Sequence, residues 1–511
     1  ITLNAANGVA AGANISIAGT TNSVFGETND LTLNAGTGGT ITLTGAVGTT
    51  TTLDVLTIAN SNGATCAGAL TAATVAITDT TDDTTVAFQG NTTITTLTTE
   101  AQGYNLSFTG TTNTITNAVD FLNTGTVIIG NVVEDAITFT TGVDFTNGPS
   151  SAIIMGTINT TDTNMTFGTV TLAGNTTIDT GIGDATFNGT VNGAYTLTID
   201  AGATGDITFS GIVGATSTLA SLTITDANDV TINENMTITG AITATADSIV
   251  ADADALIIAS GMVLVADTGI GSASGLKTRI ASFTATNSTS GAIWIRNNTT
   301  AGVSASLTIP ADGVTNASSA IRIEQGNLTF NDEALAAGSD TTTGGDLIII
   351  GTIDAATTVK LHVMGSILDR STSGSYDVIG VGTCEMLAFN GNIGEEKKYP
   401  VEVNIDGDLY VYASQESSTI GVAINGTVQD SEELSEYNNY ISTSLVLFNN
   451  AINGGESSLN IRRPWLAQWL KDTSPITLLK SNDPTLFDAN VVQSMIDNSW
   501  FEPIPSFWIN T

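Results

Sequence analysis

GDATFNGTV at 183–191 and GDITFSGIV at 205–213 decide the reading of this chain. They share Gly, Asp, Thr, Phe, Gly and Val at the same places, and one period carries Gly183 to Gly205. Within each, apolar and polar residues alternate, the period of a strand with one face buried. The Gly-Asp start and the internal Gly supply turns. A unit this short cannot bury its apolar side alone. A second, like unit stacked on it can.

The same grammar spreads outward from this pair. ITLTG at 41, ITFTTG at 137, MTFGTVTLAG at 165, LTITD at 222 and MTITG at 236 are variants of it. The period is imperfect, at about 20 to 25 residues, which predicts about 20 coils over residues 1–430. β-Branched residues favour strands, because a branched Cβ fits a pleated surface. An antiparallel sandwich would fill two opposed sheets with more aromatic residues. Near-identical neighbouring units predict instead an all-β, parallel β-helix (solenoid).

The pattern changes along the chain. Residues 1–254 read as regular repeats. From 255 the strands lengthen, as in ALIIASGMVLVAD, GAIWIRNN, AIRIEQGNLTF and GGDLIIIGTI, so 255–454 reads as larger, irregular coils. The segment 455–511 holds four of five tryptophans and five of eight prolines. There RRPWLAQWLKD and PTLFDANVVQSMIDNSW read as short helices, and FEPIPSFWINT as extended. That makes a small mixed, partly helical cap or docking segment.

Charge excludes several partners. The net charge is -37, and the first cation is Lys277. Nucleic-acid binding needs clustered Lys and Arg to meet phosphates. Anionic lipid makes the same demand. Trypsin-like proteases find no site before Lys277, which suits a proteolytic exterior. No apolar run is long enough for a membrane helix. Ile1 follows no Met and no export leader, so we expect a removed signal or a piece of a longer precursor.

Chemistry is sparse. His362, in VKLHVMGS, is the only histidine and lies on an alternating strand, where it reads as structural. No Ser/His/Asp set can be built without it. Cys66 and Cys384 lie too far apart to meet in a linear repeat fold, and they read as buried thiols with no redox or metal motif. Asp79, Asp82 and Asp83, and likewise Asp252 and Asp254, could in principle serve as paired carboxylates. They read as turn residues instead, since Asp hydrogen-bonds the backbone of its own turn. TDANDV at 225 and DTTDD at 79 offer oxygen ligands for structural calcium. Sequons occur at Asn91, Asn159, Asn175 and Asn298. We therefore expect no enzyme, no catalytic residue and no obligatory cofactor.

Two longer stretches carry a family resemblance. DTGIGSASGLKTRIASFTATNSTSGAIWIRN and NIGEEKKYPVEVNIDGDLYVYA resemble repeats of filamentous-haemagglutinin-like surface proteins. GDITFSGIVGATSTLASLTI resembles the repeats of giant bacterial β-strand-repeat proteins. The resemblance covers about residues 1–430 at the level of the repeat. It implies a right-handed parallel β-helix, export, and adhesive or scaffold roles.

These readings combine into a secreted structural subunit of an extracellular filament, sheath or surface layer. It would assemble with itself head to tail through its solenoid ends. The expected contact residues are Ile1 and Leu3 at one end and Trp465, Trp469, Trp500, Phe501, Phe507 and Trp508 at the other. A surface adhesin that binds cells or glycans is the alternative, and a carbohydrate-active β-helix enzyme comes third.

Overall fold

The computed structural model describes residues 1–271, 274–297, 306–326, 345–371, 377–380, 382–388, 391–394, 401–405, 409–413, 422–424 and 459–461. Among them every regular element is a β-strand, and the strands pair in parallel as a β-solenoid. It makes about 16 turns, fewer than the sequence period predicts. The later coils are the longer ones: Ile293 pairs with Ile321, and Ile321 in turn with Val359. The helices expected in 455–511 lie outside the described residues. The chain divides into two compact units, Ile1–Ile280 and Ala281–Thr511.

In the first unit three apolar columns account for the period. One runs Ile15, Ile41, Ala64, Val86, Leu106, Val127, Ala152, Val170, Val191, Val213, Met236 and Ile257, each beside the next. All are buried. A second runs Ile137, Ile158, Ile178, Ile199, Ile224, Ala244 and Leu264. The third is aromatic. Phe121, Phe145, Phe167, Phe187 and Phe209 stack with ring centroids 4.9–5.1 Å apart and planes within 27° of parallel. That separation is the strand spacing of a sheet, so one Phe per coil gives a continuous offset stack. Successive coils visit the columns in order: Val170, Ile178, Phe187, then Val191, Ile199, Phe209.

The motif that opens the sequence reading is thereby explained position by position. Ala185 pairs with Ile207, Thr186 with Thr208 and Phe187 with Phe209. Val191 bridges Val213. The Asp206 amide donates to Asp184 Oδ1 at 3.0 Å. Gly189 and Gly211 lie so close that a β-carbon on Gly211 would meet the Gly189 carbonyl oxygen at 2.2 Å. A longer column of this kind, Gly19, Gly45, Gly68, Gly90 and Gly110, follows another face. A β-carbon on any of the last four would lie within 2.6 Å of the preceding glycine's backbone.

The second unit continues the principle with longer coils. Ile293, Ile321, Val359 and Cys384 form a buried column on four successive strands. Asn287 and Asn316 stack inside, where Asn287 Nδ2 donates to Asn316 Oδ1 at 3.2 Å. Asn297 Nδ2 likewise donates to Gln325 Oε1 at 2.8 Å. Stacked amides give one another donors or acceptors where lone ones would be costly to bury, although Asn287 Oδ1 itself receives no hydrogen bond.

Candidate binding strip on the second unit

Most of the polar residues singled out from sequence hold coils together. Asp82 Oδ1 accepts the Gly103 amide at 2.9 Å, and Asp79 Oδ2 accepts from Asn60 Nδ2 at 2.6 Å. Asp83 occupies a left-handed turn position, φ 61°. Asp252 Oδ1 accepts the Asp254 amide at 3.0 Å. Asn91 and Asn175 accept the amides of Thr112 and Thr196 on the next coil. Asn105 does the same for Thr126, and Asn235 for Leu256. In TDANDV, Asn228 Nδ2 donates to Asp206 Oδ1 at 2.8 Å. The recurring device is a side-chain oxygen that accepts the backbone N–H of the following coil. It explains why Asn and Asp are so frequent. Asn159 sits within the strand Ser151–Thr160, and Asn298 lies outside the described residues. Among the described residues no three His, Cys, Asp or Glu side chains gather as a metal site.

The thiols are core residues. Cys66 lies between Leu43 and Phe88 in a buried column, and burial pushes its pKa to about 12. Cys384 is equally buried, with a pKa likewise pushed to about 12 by burial and the nearby Glu385 charge.

Of the expected contact residues, Ile1 and Leu3 are 80% and 38% exposed, and Leu3 pairs with Leu33. Trp465, Trp469, Trp500, Phe501, Phe507 and Trp508 lie outside the described residues.

One surface concentrates the residue types that are rare elsewhere. The strands Ile293–Asn297, Ile321–Gln325, Val359–Val363 and Cys384–Ala388 lie side by side. Their apolar residues point to the core, so the intervening positions line up on the opposite face, where Glu324, His362 and Leu387 are nonetheless buried. One outward row is Trp294, Arg322, Lys360 and Glu385. The other is Arg296, Glu324, His362 and Leu387. The rows contain three of the six described cations, the only described tryptophan and the only histidine.

Charge pairing orders the strip. Glu324, 2% exposed, receives Trp294 Nε1 at 3.2 Å and Arg296 Nε at 3.3 Å, and it forms an ion pair with Arg322, whose Nε lies 2.7 Å from Oε1. The Arg322 guanidinium lies 4.4 Å above the centre of the Trp294 ring. This is cation–π geometry, in which the ring quadrupole attracts the positive charge. Glu385 lies 3.4 Å from Lys360 Nζ and 3.2 Å from His362 Nε2. Burial alone would raise the Glu385 pKa, but His362 and Lys360 outweigh it and bring it to about 2. Both glutamates thus serve as counter-ions. Trp294, Arg296, Arg322 and Lys360 remain half-exposed. The arrangement suits planar and anionic groups of a partner, as aromatic–guanidinium surfaces do.

Fold and site together define a parallel β-solenoid repeat protein. No family model, no curated protein and no solved structure matches the chain.

Proposed function

We propose that the chain is a secreted structural repeat protein, a scaffold subunit of an extracellular filament, sheath or surface layer. One observation carries this reading: in the first unit the polar side chains are spent on joining one coil to the next. An unbroken apolar column and a row of Asn and Asp hydrogen bonds leave a surface of Thr and Asn. Such a surface suits a load-carrying stack rather than a reaction vessel. Absence of Lys and Arg before residue 277 supports an exterior location, where trypsin-like enzymes would find nothing to cut there. The repeat-level likeness to exported surface proteins agrees with it. Assembly with further copies of the chain belongs to the same proposal.

The test is negative-stain microscopy of the native material. Long uniform fibres are expected, and they should be replaced by single particles when residues 455–511 are deleted. Fibres that survive that deletion would remove the tail from the assembly contact.

The second reading, a surface adhesin, draws on the Trp294–Arg322–Lys360 row. In that case the strip is the recognition face, and glycans or cell surfaces are the partners. Separate particles that bind cells, and lose binding in Trp294→Ala, would favour it over the filament.

A further inference from the structure

One face of the first unit repeats a single residue type in two directions. Thr157, Thr177, Thr198, Thr223 and Thr243 stand at outward positions of successive coils, each paired with the next. Strand spacing sets them about 4.8 Å apart up the stack. Thr93, Thr114 and Thr138 form a second column on the coils before. Thr138 pairs with Asn159, two positions along the strand from Thr157, so the columns are offset by about 6.6 Å. All eight threonines are half-exposed or exposed. Together they make a grid rather than a line. A second ladder, Thr166, Thr186, Thr208 and Thr231, lacks that breadth. Its strands Met165–Phe167, Ala185–Phe187 and Ile207–Phe209 have three residues each, whereas Ser151–Thr160 and Val170–Asp179 have ten.

The hydroxyls of this grid are unspent. Thr196 and Ser221, at neighbouring outward positions, bond each other, Oγ1 to Oγ at 2.9 Å. The hydroxyls of Thr157, Thr177, Thr198, Thr223 and Thr243 make no hydrogen bond among the described residues. Threonine is stiff at χ1, which favours one orientation of hydroxyl and methyl throughout a ladder. We propose that this threonine face binds ice.

Both spacings of the grid are close to the oxygen repeats of the ice lattice. Each hydroxyl anchors a water, and the methyls between them restrict the orientation of the waters they touch. A rigid sheet thereby holds a layer of ordered water that merges with a growing crystal. No charge is needed for this, and the threonine ladder carries none. Asp179 and Asp200 border it, and each turns Oδ1 to its own turn, where it accepts the Gly181 or the Gly202 amide. A crystalline polysaccharide also offers a flat repeating surface. Sugar rings, however, pack against the broad apolar faces of aromatic side chains, and no threonine of the grid has one beside it in the ladder. The face lies on the flank of the coils, so binding is expected of single particles and filaments alike.

The experiment grows ice slowly in a dilute solution of the full chain and compares the protein frozen into the crystal with that left in the liquid. The wild type should be enriched in the ice, whereas an inert protein of similar mass stays in the liquid. Thr198→Tyr plants a ring in the middle of the grid and should lose that enrichment. Asn188→Tyr, at an exposed position outside the grid, should keep it. A wild type excluded from ice overturns the proposal, and so does Thr198→Tyr enriched as fully as the wild type. Should circular dichroism show that Thr198→Tyr misfolds, the triple variant Thr177→Val, Thr198→Val, Thr223→Val decides. It keeps the outline and the strand preference of the ladder and removes three hydroxyls. Reduced enrichment supports the hydroxyl grid, and unchanged enrichment refutes it. Wild type that pellets with crystalline cellulose or chitin yet stays out of ice would replace the ligand and overturn the assignment. None of these readouts depends on whether the chain builds filaments or binds cells.

Discussion

In the first unit the outward positions of a strand carry Thr, Asn and Asp; on the strip of the second they carry Trp, Arg, Lys, Glu and His. Both units bury the alternate positions in the same way, with one apolar residue stacked on the next. The comparison separates two tasks that a solenoid performs with one backbone. Inward residues fix the stack in both units. Outward residues join coils by N–H groups donated to Asn and Asp oxygens in the first unit and by ion pairs in the second. Ion pairs within the row leave the cations and the aromatic ring half-exposed at the surface.

Substitutions can break this contrast. The largest effect is expected from Phe187→Ala, which opens a gap between Phe167 and Phe209 in the aromatic stack. It should cost about 4 kcal/mol in denaturant unfolding followed by far-UV circular dichroism. Tryptophan fluorescence should miss the event, because residues 1–280 contain no tryptophan. Next comes Glu324→Gln, which leaves Arg296 and Arg322 without their shared counter-ion and should cost about 3 kcal/mol. Here tryptophan fluorescence should respond, through Trp294.

Acid sharpens the same difference. The Glu385 pKa is lowered to about 2, so its contribution is present above the ordinary value of 4.5 and is lost as pH falls toward 2. The stability gap between wild type and Glu385→Gln should therefore be about 2 kcal/mol at pH 6 and close by pH 2. Asn105→Ala removes the side chain that accepts from Thr126 on one neighbouring coil and donates to the Asp83 carbonyl on the other, and it should cost about 1 kcal/mol with no pH dependence. Last, neither Cys66 nor Cys384 should react with a thiol reagent at pH 8 in the folded protein. Burial and pKa values of about 12 withhold the thiolate.

The stack is legible in the sequence because its cause is local. A Phe or Val must recur once per coil, so the step from Phe187 to Phe209 equals the step from Val191 to Val213. The turn role of Asp82 and Asp252 is legible for a similar reason, as both lie in short polar punctuation. The strip is not. Trp294 and His362 are distant in the chain, across coils of unequal length, and only the register of the strands brings them to one surface. His362 reads as structural from its alternating strand alone, because its partner Glu385 belongs to the next coil. A signal is present in GAIWIRNN, AIRIEQGN and VKLHVMGS. Aligned on their apolar positions, these segments place Trp, Arg and Lys in one row and Arg, Glu and His in the next.

The glycine column at 19, 45, 68, 90 and 110 limits how such a chain can change its length. Each rung leaves no space for a side chain against the rung beneath. A single inserted residue would slide an alanine or threonine into that slot and jam two backbones together. Adding or removing an entire lap leaves every glycine facing another. Length variants of this protein should thus come in whole laps, and the gene should tolerate in-frame duplications of about 20 codons far better than a one-codon slip.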